Sequence, residues 1–182
     1  MSEVSKSWQA LLMDNHRRLF ETQVDGRLVR EGYPEVGDGW RDLVETAVGR
    51  IAAAVTGTPD GALKILQIKT KFGSLRLYWR SDGLSRVQNA AVVEAVDLAE
   101  ARSACTCEIC GSEGGPWSDH GWMLTACAEH ARGRPLAVRP GVAGVVVERR
   151  MVAGRLQVQR RRRYVRTTDS FVELPVSDGE ED

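Results

Sequence analysis

No apolar run in the 182 residues approaches the roughly 20 that a membrane-spanning helix requires. The opening Met-Ser-Glu-Val-Ser-Lys-Ser does not lead into the apolar core of a secretory leader. The expectation is a soluble, cytoplasmic protein with no membrane partner. An excess of charge is missing too: 25 Lys plus Arg balance 25 Asp plus Glu. Nothing in that total marks a coat for nucleic acid, although a local basic patch stays open. There is no phosphate loop of P-loop spacing, and Gly114-Gly115 beside Pro116 is expected to be an ordinary turn. No Ser-His-Asp or Cys-His nucleophile pair can be assembled without taking residues needed elsewhere. These gaps predict a protein that is not an enzyme and takes no small-molecule substrate.

What is present is a cluster of metal-ligand type. Cys107-Glu-Ile-Cys110-Gly111 is followed, after fifteen residues, by Cys127-Ala-Glu-His130. Two pairs at this spacing are a strong metal signal. Gly111 gives the first pair the backbone freedom of a tight knuckle, and the second pair is expected to open a helical turn, where residues three apart share a face. The spacing therefore predicts a structural Zn2+ held by Cys107, Cys110, Cys127 and His130 in a treble-clef order of knuckle, short hairpin and helix. Four protein ligands leave no place for water, which separates a structural zinc from a catalytic one. A disulfide is disfavoured in a reducing compartment. Cys105, close by, is expected to be a buried free thiol.

The rest of the chain predicts an α+β fold. An amphipathic helix is expected over 7–22, then a polar loop from Asp25 to Gly39. A clearer helix begins at Asp38 and repeats Trp40, Leu43, Val44, Ala47, Val48, Ile51, Ala52 and Val55 at helical spacing until Gly57 and Pro59 stop it. From Ala62 to Arg80 the period becomes two, which predicts a hairpin turning at Phe72-Gly73-Ser74, with Leu66, Ile68, Thr70 and Phe72 on one face. A third helix over 85–103 is expected to turn Val87, Ala91, Ala95, Leu98 and Ala99 inward. Residues 143–167 predict two strands joined at Gly154. The domain reading is an α+β body over 1–104, the zinc module over 105–135, a basic hairpin extension over 136–170 and an acidic, disordered tail over 171–182, its charge concentrated in Asp178–Asp182.

Candidate contact residues follow from this layout. Arg160, Arg161, Arg162 and Arg163 form a basic run in the extension, and Arg76 lies on the basic side of the first hairpin. Trp117 and Trp122 flank the zinc hairpin, as a minicore around the metal or as anchors for a partner. Asp119-His120 has the pattern that opens an HNH nuclease, but only six residues separate His120 from Cys127 and His130 is already committed. A place in a polar hairpin turn is the plainer expectation for that pair.

Several segments taken together, Gly37-Asp-Gly-Trp-Arg-Asp-Leu-Val, Lys71-Phe-Gly-Ser-Leu-Arg-Leu-Tyr, Ala99-Glu100 with Ser103, Thr106-Cys-Glu-Ile-Cys-Gly, Gly121-Trp122 and Thr125-Ala-Cys-Ala-Glu-His, resemble small bacterial and prophage proteins that carry a KFGxLR hairpin before a CExCG zinc knuckle. The resemblance covers residues 35–131. It implies the α+β architecture and the zinc site, and such proteins' company with toxin and phage systems implies an interaction or immunity role. The expected function is a non-enzymatic, zinc-stabilised protein-binding module, an immunity-type inhibitor whose partner is a toxin. The alternative is nucleic-acid binding through the arginine-rich hairpin, with Arg149, Arg150, Arg155, Arg160–Arg163 and Arg166 on phosphates and Tyr164 available for stacking, and a third reading is an HNH-like nuclease.

Overall fold

The Ser7 hydroxyl accepts a hydrogen bond from the Ala10 amide and starts helix α1 (Trp8–Asn15), as a hydroxyl N-cap does. The computed structural model describes residues 6–138 and 144–176. The single helix expected over 7–22 is broken at His16, whose φ of −124° leaves helical geometry. A second piece, α2 (Arg17–Phe20), turns Leu19 and Phe20 into the core. The expected polar loop instead begins as a hairpin of β1 (Glu21–Val24) and β2 (Arg27–Arg30), turned by Asp25 and Gly26 at positive φ. All four residues of β2 are exposed, so no alternation of apolar and polar residues marks it.

The body is three elements around one apolar core. Helix α3 (Arg41–Ala54) is entered through a 3-10 turn at Asp38–Trp40 and buries Leu43, Val44, Ala47, Val48 and Ile51 as one stripe. Strands β4 (Leu63–Lys71) and β5 (Ser74–Ser81) pair antiparallel, and β3 (Pro34–Glu35) adds a short parallel edge to β4. Phe72 and Gly73 make the turn with φ of 53° and 74°, the left-handed pair that a two-residue hairpin needs. A bulge between Ile65 and Gln67 shifts the register. Leu63 and Ile65 face the core before it and Ile68 after it, so Leu66 and Phe72, expected on the Ile68 face, point to solvent. Helix α4 (Arg86–Ser103) starts in a capping box of Ser85 and Gln88. Its inward stripe is rotated from the expected one: Val92, Ala95, Val96, Leu98 and Ala99 are buried, while Val87 and Ala91 face solvent.

Beyond α4 come two more three-stranded sheets. In the first, β6 (Gly115–Asp119) lies between β7 (Trp122–Ala126) and β8 (Arg134–Pro135), so Gly115 and Pro116 belong to a strand and not to a turn. In the second, β10 (Arg155–Val165) lies between β9 (Val145–Val152) and β11 (Ser170–Leu174). The extension is therefore a sheet and not only a hairpin, and β11 occupies the first part of the segment expected as a disordered tail. The acidic run Asp178–Asp182 lies outside the described residues. Among the described residues no helix is long and apolar enough to cross a membrane.

Candidate metal centre

Cys107, Cys110, Cys127 and His130 come together with their ligand atoms all within 4.8 Å of one another. The Cys110 and Cys127 sulfurs are 3.7 Å apart, and His130 Nδ1 lies 3.2 Å from the Cys127 sulfur and 3.8 Å from that of Cys107. Metal–sulfur bonds of about 2.3 Å in a tetrahedron put two sulfurs about 3.8 Å apart, so the four side chains fit one ion of zinc size. Two backbone turns set the geometry. The Gly111 amide donates to the Cys107 carbonyl at 2.9 Å, and the His130 amide donates to the Cys127 carbonyl at 3.2 Å. The helical turn expected at Cys127–His130 is thus a single hydrogen-bonded turn, after which the chain passes Gly133 into β8. A hydrogen bond from the Ser112 hydroxyl is the main cause that pulls the Cys110 thiol down to about 6, toward the thiolate a metal requires. Burial pushes the Cys127 thiol up.

The body holds this centre from beneath. The 3-10 turn before α3 lies on the first knuckle: the Gly39 amide donates to the Glu108 carbonyl at 2.9 Å, and a Cβ on Gly39 would lie 2.5 Å from the Gly111 nitrogen and 2.6 Å from the Cys110 nitrogen. Only glycine fits that approach. Trp40, fully buried, donates its indole N–H to the Thr106 carbonyl at 2.7 Å. Glu108, between the two knuckle cysteines, accepts from the Gly37 amide at 3.2 Å and from the Thr70 hydroxyl of β4. The Thr125 hydroxyl reaches the Gly73 carbonyl at 2.5 Å, and the Ser103 hydroxyl accepts from the Leu75 amide at 2.8 Å. The segments that carry the resemblance, Gly121-Trp122 apart, are therefore linked to one another. Trp40 belongs to the core, as its place in the α3 stripe predicts, and its bond to Thr106 is the part no periodicity reveals.

The other predicted residues separate. Arg162 is not a surface contact: it is 1% exposed and sits between Glu94, Asp97 at 2.5 Å and Glu148 at 2.8 Å, with the Phe171 ring 4.2 Å away. A charged side chain in that position anchors the C-terminal sheet to α4, and its burial, with Nε left without a hydrogen-bond partner among the described residues, keeps it from any outside surface. Arg160 pairs with Glu173 and with Glu148 at 3.7 Å. Arg163 is exposed and Arg161 half-buried, each with interactions of its own. Arg76, half-buried, ties β5 to α4 through Glu100 at 3.3 Å and also donates to the Ser74 hydroxyl and the Leu75 carbonyl. Trp117 is half-buried and donates to the Ala126 carbonyl at 3.1 Å, while Trp122 is 81% exposed. Of the two tryptophans, Trp117 packs in the hairpin and Trp122 faces solvent.

Asp119 ends β6 and bonds His120 Nδ1 at 2.7 Å in the β6–β7 turn, where His120 has φ 47°. Neither belongs to the one group of metal-capable side chains found among the described residues. Cys105 stands outside that group as well: half-buried, its thiol lies 3.3 Å from the Arg102 carbonyl, and burial raises its pKa. Arg166, which the sequence offers only as a further arginine for phosphate contact, donates to the Cys105 carbonyl at 2.6 Å and to the Thr106 hydroxyl at 3.0 Å and so ties the C-terminal sheet to the base of the knuckle. No motif announces it.

Fold and site together define an α+β protein with a Cys3His group able to hold a metal ion. No protein-family model, no curated protein and no solved structure matches the chain.

Proposed function

We propose that the chain is a non-enzymatic binding module, fastened by one structural Zn2+, that presents an aromatic face to a protein partner. Three thiolates and an imidazole are a donor set suited to zinc, and four protein ligands fill its coordination sphere. When bound, such an ion supplies folding free energy to the segment around it. The residues themselves then hold the β6–β7 hairpin and the β4–β5 turn in fixed relation.

The observation that carries the reading is the exposure of large apolar side chains on that fixed platform. Trp122, at the start of β7, is 81% exposed and Phe72, in the β4–β5 turn, 69%. The two are linked through backbone: a Cβ on Gly73 would lie 3.1 Å from Leu124, which shares the Trp122 face of β7 by alternation. Exposed aromatics on a rigid surface are what binding hot spots are made of. Lys71 stands 5.4 Å from the centre of the Phe72 ring and Lys69 5.7 Å from that of Tyr78, so the face is rimmed with positive charge that favours fast association with an acidic surface. The partner class that fits the immunity reading is an acidic toxin.

Affinity capture from the source cells, followed by mass spectrometry, tests this. The wild-type chain returns a protein in stoichiometric amount. A chain carrying both Trp122→Ala and Phe72→Ala loses it by about tenfold or more, with metal content and melting temperature unchanged. Recovery of the same partner by the double variant contradicts the proposal, and so does the absence of any partner.

A further inference from the structure

We propose that the outer halves of β9 and β10 form an arm that binds duplex nucleic acid, with its arginines on phosphates and its apolar tip in a groove. This does not depend on the protein-binding reading, and it uses a different surface. The inner part of the sheet is the foundation, set on α4 by Arg162 and on the knuckle by Arg166. Among the described residues no third strand accompanies β9 and β10 beyond it: β11 stops at Leu174, opposite Arg161, while these two stay paired out to Val152 and Arg155. The six residues from Arg160 to Arg155 give the arm a reach of about 20 Å.

Every residue from Arg149 to Gln157 is exposed. Neighbouring residues in a strand point to opposite faces, so both faces of the arm meet solvent. A two-stranded ribbon that buries nothing is marginal by itself in water, and its composition states what it suits. Between Arg149 and Gln159 there is no acidic residue, and Arg149 and Arg150 have no charged partner among the described residues. Glu148, the acidic residue that precedes Arg149 in the chain, is engaged by Arg160 and Arg162. Register places Arg149, Met151 and Leu156 on one face and Arg150, Val152 and Arg155 on the other. Ala153 and Gly154, at φ 49° and 80°, close the tip.

That distribution decides the partner. A flat acidic protein or a bilayer meets one face of a ribbon, whereas a duplex groove has phosphates on both walls. A groove of duplex DNA admits a two-stranded ribbon, and apolar side chains at the tip of such elements press between base steps. Of the arginines that the sequence offers for phosphate contact, Arg160–Arg163 and Arg166 belong to the foundation, and the contacts proposed here lie on the outer part of the arm, at Arg149 and Arg150.

The full-length, zinc-loaded protein is titrated into a fluorescent DNA duplex of about two helical turns over a range of salt. Binding weakens steeply as salt rises. Replacing Arg149 and Arg150 together by Ala lowers affinity by about tenfold and the salt slope by about two, one for each phosphate contact. Replacing Met151 and Leu156 by Ser leaves that slope in place and abolishes the bending of the duplex, read by energy transfer between its ends. Both variants alter only exposed side chains, so unchanged melting temperatures show that the fold is intact. No salt-dependent binding of the duplex overturns the proposal, as does a salt slope that the double arginine variant does not change. Binding to vesicles of anionic phospholipid, or to polyglutamate, without binding to the duplex also overturns it.

Discussion

Gly39 has its Cα against the first knuckle, and a methyl group there would overlap the Cys107 carbonyl as well as the Gly111 and Cys110 amides. Because these neighbours are backbone, they cannot turn aside. Gly39→Ala is expected to cost about 1–3 kcal/mol in urea unfolding and to speed the loss of metal to a coloured chelator. Gly49, inside α3, has no atom within 4 Å of its would-be Cβ, and Gly49→Ala should stabilise by about 0.5–1 kcal/mol. Equal effects of the two changes would mean that the turn does not bear on the knuckle. Arg162 makes a second contrast. Burial pushes the Asp97 carboxyl up while Arg162 opposes the shift, and removing the cation leaves Glu94, Asp97 and Glu148 facing one another. Arg162→Met is expected to cost about 3 kcal/mol or more, whereas Arg160→Met, on a half-exposed pair with Glu173, should cost less than about 1 kcal/mol; urea midpoints of the two variants decide it. In the sequence, Arg162 is one of four identical letters. Its burial depends on Glu94 and Asp97, one helical turn apart on α4, and on Phe171 in a strand that no pattern predicted.

At the scale of elements, legibility followed burial. The α3 stripe and the β4–β5 alternation are written in the sequence because each buries one face, and the Phe72-Gly73 turn is written in its left-handed requirement. The β1–β2 hairpin and β11 are short and bury no residue fully, so they leave no period to read. The faces of β4 and α4 were misplaced for local reasons: a bulge at Leu66 moved one, and a rotation of the inward stripe moved the other. The metal centre was legible as residues and spacing but not as a helix, since one hydrogen-bonded turn at Cys127–His130 satisfies the same spacing. The elements that touch the knuckle should respond together. On removal of metal by a chelator, hydrogen exchange is expected to rise at the amides of Cys107, Glu108, Gly111 and His130 and at Gly39. The β4–β5 amides that face Ile65 and Ile68 should stay protected, because their core does not use the metal. Loss of protection across β4 and β5 as well would show that the metal supports the whole body, and unchanged exchange at Gly39 would break the link to the turn.

At the scale of the molecule, the described residues place three structural anchors around one knuckle: the turn before α3, the β4–β5 hairpin and the C-terminal sheet through Arg166. Two exposed groups of side chains carry the proposed contacts: Trp122 and Phe72, and the strand ends at 149–157. All of this requires an ion that serves as a fastener and exposes no coordination site. X-ray absorption at the zinc edge of the purified chain, with elemental analysis of the same sample, measures that directly. The account predicts one zinc per chain with three sulfur neighbours at about 2.3 Å and one nitrogen at about 2.0 Å. A chain without zinc, or a zinc with an oxygen neighbour from water, would contradict it.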